Sequence, residues 1–208
     1  MFDGHYIDWR NSRMNGILEA LGEDFFKNKS IVELGCGYGD FGNMILQKGA
    51  KRCLSIDARS EHIKIGKERY PLINFLYMNC ENMPDDIHTF FKDYDILIHF
   101  GLLYHLENPI EHLTSLSNHF KVILLESEVI IGQSIINSEI GYDQSITGKS
   151  LRISLETIIK CLEDNGYKIQ VLKSKVLDNN LHKYSWNEED FNKENYYYRR
   201  MIYAKLTN

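Results

Sequence analysis

Cysteine is scarce in this chain, and the four that occur, Cys36, Cys53, Cys80 and Cys161, stand far apart. No CxxC pair and no Cys/His cluster at zinc-ligand spacing is present, which excludes a disulfide-stapled scaffold and a zinc finger and points to a reduced, cytoplasmic setting with no metal site. Proline is rarer still. Pro71, Pro84 and Pro109 all fall where elements should begin or end, and no Pro- or Ser-rich linker divides the 208 residues, so one domain over 1–208 is expected. No stretch approaches the ~20 apolar residues of a membrane span, and the opening MFDGHYIDWRNSR has no apolar leader core. A basic excess is missing as well: 24 Lys and Arg against 29 Asp and Glu give a formal charge of -5. Dense phosphate binding relies on the opposite balance, so a large nucleic-acid partner is disfavoured. These absences leave a soluble globular chain, monomeric or homodimeric, long enough to bury roughly 70% of its unfolded surface without staples.

What is present is an alternation of short β-rich runs with longer amphipathic ones. Strands are expected at Ser30 to Leu34, Arg52 to Ile56, Asn74 to Met78, Tyr94 to Phe100 and Lys121 to Glu126, several almost continuously apolar, as parallel strands covered on both faces should be. Helices are expected to begin near Asp40, Ser60, Met83 and Pro109. Later, a helix from Leu155 to Asp164 should stop at Asn165-Gly166, followed by a strand from Tyr167 to Leu172 and a last strand, YYYRRMIYAKL, that pairs with it antiparallel. The pattern predicts an α/β, Rossmann-like doubly wound fold: a mostly parallel seven-stranded sheet with an antiparallel last strand. Residues 1–28 then form an N-terminal helical lid, and 127–150 and 173–195 form substrate-side loops.

The most informative segment is VELGCGYGDFG, from Val32 to Gly42. A buried strand runs into alternating Gly35, Gly37 and Gly39 and then into an apolar helix pattern. Glycines there let main-chain N–H groups and a helix N-terminus come close to a ligand, although glycine-rich turns also serve as plain connections. Asp57 closes the second strand at the position where dinucleotide-type folds hold ribose hydroxyls with a carboxylate. After the third strand, MNCENMP offers polar groups that could read an adenine edge. A nicotinamide fingerprint is not met, because GxGxxG is interrupted at Asp40.

On these residues the chain resembles the class I S-adenosylmethionine-dependent methyltransferases, whose first loop commonly reads DLGCGxG. Glu33 holds the acidic place before the glycines. The resemblance implies S-adenosylmethionine as cofactor, with Gly35, Cys36 and Gly37 near its methionine part, Asp57 and the adjoining Ala58 at the ribose, and Asn79, Cys80 and Glu81 matching an adenine-side segment often written GDAENLP. Asn79 replaces the usual Asp, so a carbonyl would accept from the adenine amine. Further on, GLLYH and NPIEHL, with DWR upstream and VILLES downstream, are similar to the tRNA wobble-uridine carboxymethyltransferases and their neighbours, whose segments read GVLYH, SPLEHL, EWR and LVLET. That similarity spans Asp8 to Gly132 and implies that Trp9, Phe100 and Tyr104 touch the cofactor.

For an oxygen acceptor a base must take the hydroxyl proton, and His105 stands where the acceptor should arrive; it could equally cap the following helix. Glu126 and Asp143 are expected as helpers that orient substrate or base, with Glu128 as a further candidate for substrate hydroxyls, and Tyr142 with Asp143 as lid residues. Arg10 and Arg13 either pair with the cofactor carboxylate or decorate an amphipathic helix. YYYRR reads as a period-two edge strand more than as a stacking surface for bases. The expectation is methyl transfer to a hydroxyl of a small molecule or sugar. Modification of a tRNA wobble base with an ordinary or carboxylated cofactor, and a non-catalytic S-adenosylmethionine-binding subunit, are the other readings.

Overall fold

A computed structural model of the chain describes residues 4–84, 87–117, 119–130, 136–138, 145–178, 182, 184 and 198–207. The elements follow in the order α1 (His5–Leu21), β1 (Ser30–Leu34), α2 (Asp40–Gln47), β2 (Arg52–Asp57), α3 (Ser60–Arg69), β3 (Asn74–Tyr77), α4 (Ile87–Phe91), β4 (Ile96–Phe100), α5 (Pro109–Ser117), β5 (Val122–Val129), β6 (Ile136–Ser138), β7 (Ser150–Arg152), α6 (Leu155–Asp164), β8 (Tyr167–Val171) and β9 (Tyr198–Leu206). Seven strands form one sheet in the order β3-β2-β1-β4-β5-β9-β8. The first five are parallel, and β9 runs antiparallel between β5 and β8. β6 and β7 pair separately as an antiparallel ribbon. Among the described residues no helix is long and apolar enough to cross a membrane.

The central strands are buried from end to end, as their mostly apolar runs require when helices cover both faces. On one face Ile31, Ile96, Ile98 and Leu124 pack against Met14, Ile17 and Leu18 of α1 and Phe41 and Ile45 of α2. On the other, Val32, Leu34, Leu97, Ile123 and Leu125 pack against α4, α5 and α6 through residues such as Phe91, Leu113, Leu116 and Leu162. α6 carries the Ser154 cap, whose side chain accepts from the Thr157 amide. The strand order reverses between β1 and β4, so the loops leaving the carboxyl ends of β1, β2, β3 and β4 converge on one crevice.

Three expectations are corrected by the structure. α4 starts at Ile87, not Met83, because Met83 precedes Pro84 and is held extended (φ -68, ψ 140). β5 continues to Val129, since β9 pairs with it from Val122↔Lys205 to Val129↔Tyr198, so 127–129 belong to the ladder; Ser150 likewise opens β7 and is not loop. The alternating faces expected of YYYRR are not seen in its described part: Tyr198, Arg199 and Arg200 are all buried, and the three pair with β5 alone, because β8 meets β9 only from Ile202 to Leu206.

Candidate cofactor and acceptor site

Between β1 and α2 the chain turns through Gly35, Gly37 and Gly39, all left-handed at φ 67, 57 and 80, a region that residues with a Cβ enter only at a cost. The loop is stitched to the end of β2. Cys36 N–H donates to the Ile56 carbonyl at 3.0 Å, and Gly37 N–H donates to Asp57 Oδ2 at 2.9 Å. Asp57 Oδ1 also accepts from the Arg59 amide at 2.9 Å and contacts His62 Nδ1 at 3.1 Å. These partners fix the carboxylate where it borders both halves of the crevice. A Cβ at Gly35 would come within 3.2 Å of Leu102, so the loop lies flush with the turn after β4, a cradle that a larger residue would fill.

One half of the crevice is walled by Ala58, Met78, Asn79, Cys80, Glu81 and Leu106. The Asn79 side-chain oxygen accepts from the Glu81 amide at 3.0 Å and caps the short 3-10 turn Cys80–Asn82. A single remaining lone pair on that oxygen is what Asn79 can offer a ligand amine. Glu81 is also engaged, accepting from the Glu107 amide at 2.6 Å, which ties this turn to the loop before α5.

The other half is walled by Trp9, Arg13, Phe100, Gly101, Tyr104 and Arg199, with Glu33 and Cys36 at its floor; His105 borders both halves. The Arg13 guanidinium carbon lies 3.5 Å from the Trp9 ring centroid, and His182 stacks on the same indole at 3.6 Å. Groups this close must cover opposite faces, so a ligand meets the edge of Trp9. Behind this wall sits a buried ionic cluster. Glu126 is clamped by Arg13 and, at 2.9 Å, by Arg199; Arg199 also reaches Glu128 at 2.9 Å and donates to the Tyr104 hydroxyl at 3.0 Å; Arg152 joins Glu128 at 3.1 Å. Three guanidiniums and two carboxylates meet in this cluster. The Nε of Arg13 is buried with no hydrogen-bond partner.

Glu33 lies beneath the glycine loop, accepting from the Ser55 hydroxyl at 2.8 Å, and Gly42 of α2 packs so closely that a Cβ there would sit 2.7 Å from Glu33 Oε2. Burial pushes its carboxyl up to about 7, only partly offset by the Ser55 hydrogen bond. The folded state therefore holds a proton that the unfolded chain releases near 4.5, and stability falls as pH rises from there toward 7. Glu33→Gln should flatten this dependence. Urea unfolding at pH 5 and pH 8 should show the wild type losing up to about 3 kcal/mol over that window from this group, and the variant losing little of it.

All of the expected cofactor residues therefore border one crevice: Trp9, Arg13, Glu33, Gly35, Cys36, Gly37, Asp57, Ala58, Asn79, Cys80, Glu81, Phe100 and Tyr104. Arg10 borders it too, paired with Asp40 at 2.9 Å. Of the expected catalytic set, His105 does so, its ring 4.2 Å from that of Tyr104. Glu126 does not: it is fully buried between two guanidiniums, so it anchors Arg13 and Arg199 and has no surface to offer a substrate. Asp143 and Tyr142 lie outside the described residues. Arg199 and Arg152 were not anticipated. The signal available was two adjacent arginines in an otherwise apolar strand, which demand buried carboxylates nearby.

A Rossmann-like sheet with a glycine turn after β1, a carboxylate ending β2 and a polar turn after β3 defines a class I S-adenosylmethionine-dependent methyltransferase. The chain belongs to the methyltransferase-domain family, whose model it matches over residues 6–196. It is 29% identical over 136 residues to a tRNA U34 carboxymethyltransferase of Cellvibrio japonicus, covering 61% of this chain and 39% of that protein. A relative of the same name from Shewanella sp. (strain ANA-3) is 28% identical over 135 residues. The chain thus spans about two fifths of the length of these curated relatives. Among solved structures it is similar to the N-terminal domain of EvdMO1 with SAH bound (TM-score 0.70, 14% identity, 97% of this chain and 81% of that one). It is also similar to magnesium protoporphyrin IX methyltransferase from Synechocystis PCC 6803 with bound SAM (TM-score 0.62, 13% identity, 97% and 81%). At such identities these two matches speak for the fold.

Proposed function

We propose that the chain transfers a methyl group from S-adenosylmethionine to a hydroxyl of a small molecule or sugar, with His105 as general base. When bound, the cofactor supplies an electrophilic methyl on a sulfonium. The glycine-loop amides and Asp57 would hold its methionine and ribose parts, and the Asn79–Glu81 turn its adenine. The protein's own contribution is alignment and exclusion of water, followed by removal of one proton from the acceptor. The observation that carries the reading is the position of His105, which borders both halves of the crevice with its ring 4.2 Å from that of Tyr104. Burial pushes the Tyr104 phenol up to about 12. Glu126 is held below the usual carboxylate range, because the Arg13 and Arg199 guanidiniums outweigh the upward push of burial. Glu126 is moreover fully buried with both oxygens engaged, whereas the His105 imidazole lines both halves of the crevice. The test is incubation of the purified chain with methyl-labelled cofactor and three acceptor classes: polyols, phenols and unmodified tRNA. Label in a stable methyl ether of a polyol or phenol supports the reading; label confined to tRNA overturns it.

A second reading, modification of a tRNA wobble base by methyl or carboxymethyl transfer, is favoured by one observation besides the names of the relatives. Arg13 and Arg199 both border the cleft, and the Arg13 Nε has no hydrogen-bond partner, a donor set that suits a carboxylate carried by the transferred group or the acceptor. Under this reading tRNA binding should weaken steeply between 50 and 200 mM salt, and carboxylated cofactor should outcompete the ordinary one.

A further inference from the structure

Two histidines that play no part in the chemistry above are buried side by side. His99, in β4, shows no exposed surface, and His112, in α5, is almost as enclosed. Their Nε2 atoms are 2.9 Å apart, and His112 Nδ1 is 3.2 Å from the backbone carbonyl of Cys80. His99 Nδ1 has no hydrogen-bond partner. Cys80 opens the 3-10 turn that walls the crevice beside Asn79 and Glu81.

We propose that His99 and His112 act as a relay of positioning residues that holds the adenine-side turn, through the Cys80 carbonyl, in the shape that receives the cofactor.

The arrangement of protons follows from the acceptor at its end. A carbonyl only accepts, so His112 must carry its proton on Nδ1 and donate it to Cys80. In a neutral ring this leaves Nε2 of His112 as an acceptor, and the facing Nε2 of His99 must then be the donor. His99 Nδ1 is left as a bare lone pair in the core, the orphan that is observed. Both rings are kept neutral by burial, which drives His99 well below the ordinary histidine range and His112 down to about 4. An orphaned buried nitrogen costs stability, and an apolar side chain at 99 would avoid that cost. What the imidazole adds is the one donor that compels His112 to turn its Nδ1–H toward Cys80. With Phe at 99, His112 loses that constraint and can place its proton on Nε2, which sets a lone pair against the carbonyl and releases the turn.

The inference rests on the reading that Asn79–Glu81 faces adenine, and its test separates the two. In ¹⁵N-histidine-labelled wild-type protein, nitrogen chemical shifts should show His99 protonated on Nε2 and His112 on Nδ1; any other tautomer at either ring overturns the relay. Calorimetric titration with S-adenosylhomocysteine should show His112→Phe and His99→Phe each weakening binding by about three- to tenfold. The double variant should be no weaker than either single one, and His99→Gln, whose amide N–H can stand in for Nε2–H, should restore most of the loss. Unchanged affinity in His112→Phe, or additive losses, would mean that the pair is core packing alone. Asn79→Ala is the control: if it weakens binding while His112→Phe does not, only the relay fails; if it leaves binding intact, the turn does not hold adenine and both readings fall. Should the phenylalanine variants not fold, the wild-type tautomers decide.

Discussion

Glu126→Ala should destabilise the protein by about 3–5 kcal/mol, a large fraction of the stability of an ordinary domain. The wild-type carboxylate is fully buried, and its two oxygens are shared between Arg13 and Arg199, which are themselves more than nine-tenths covered. Removing it leaves two guanidiniums in the interior with less than their required counter-charge, and Glu128 can take up only part of the deficit because Arg152 already occupies it. For a chain of this size the loss corresponds to a fall in melting temperature of about 6–20 °C. Thermal and urea unfolding would measure it. A loss below about 1 kcal/mol would match an exposed pair and would contradict the enclosed cluster described here. Arg13→Met combined with Glu126→Leu should cost clearly less than the two single changes together, because the double change removes both members of a pair.

His105→Ala should lower kcat by about 10²–10⁴-fold, the range associated with a positioned general base, while leaving cofactor affinity nearly unchanged. The separation between the two readouts follows from the geometry. The cofactor's expected holds are the glycine loop, Asp57 and the Asn79–Glu81 turn, all stitched together by hydrogen bonds that do not involve the His105 ring. His105 stands instead on the 3-10 turn Leu103–His105 after β4, against Tyr104. Single-turnover kinetics with calorimetric affinities would separate the two effects, and added imidazole should return part of the rate to the alanine variant. Wild-type turnover in His105→Ala would remove the histidine from the mechanism. A parallel loss of affinity and rate would make it a wall of the cofactor pocket.

Much of the fold was legible because its determinants are local. Ser30–Leu34 and Ile96–Phe100 are mostly apolar, broken only by Ser30, Glu33 and His99, as suits a strand covered on both faces, and Ser154 with Asn165-Gly166 punctuates α6 at both ends. The cofactor side was legible for a related reason: Gly35, Gly37 and Asp57 sit at fixed offsets from strands that local pattern identifies. The acceptor side was not. Whether Glu126 faces a substrate or a pair of arginines is decided by the pairing of β5 with β9, which brings Arg199 opposite Glu128 from 71 residues away in sequence. No local pattern around Glu126 carries that information. The alternating faces expected of the YYYRR strand failed for the same cause: Arg199 is buried because Glu126 and Glu128 of β5 hold it, and only the tertiary pairing brings them there.

The central claim is that the turn after β1, locked to the carboxylate that ends β2, forms the grip for an adenosyl sulfonium. Isothermal titration of the purified chain with S-adenosylhomocysteine, alongside Asp57→Ala, tests it most directly. The account predicts saturable binding at one site per chain and a weakening of about tenfold to a hundredfold in the variant, as expected for loss of a charged hydrogen-bond acceptor. No heat of binding in the wild type, or full affinity in Asp57→Ala, would contradict it.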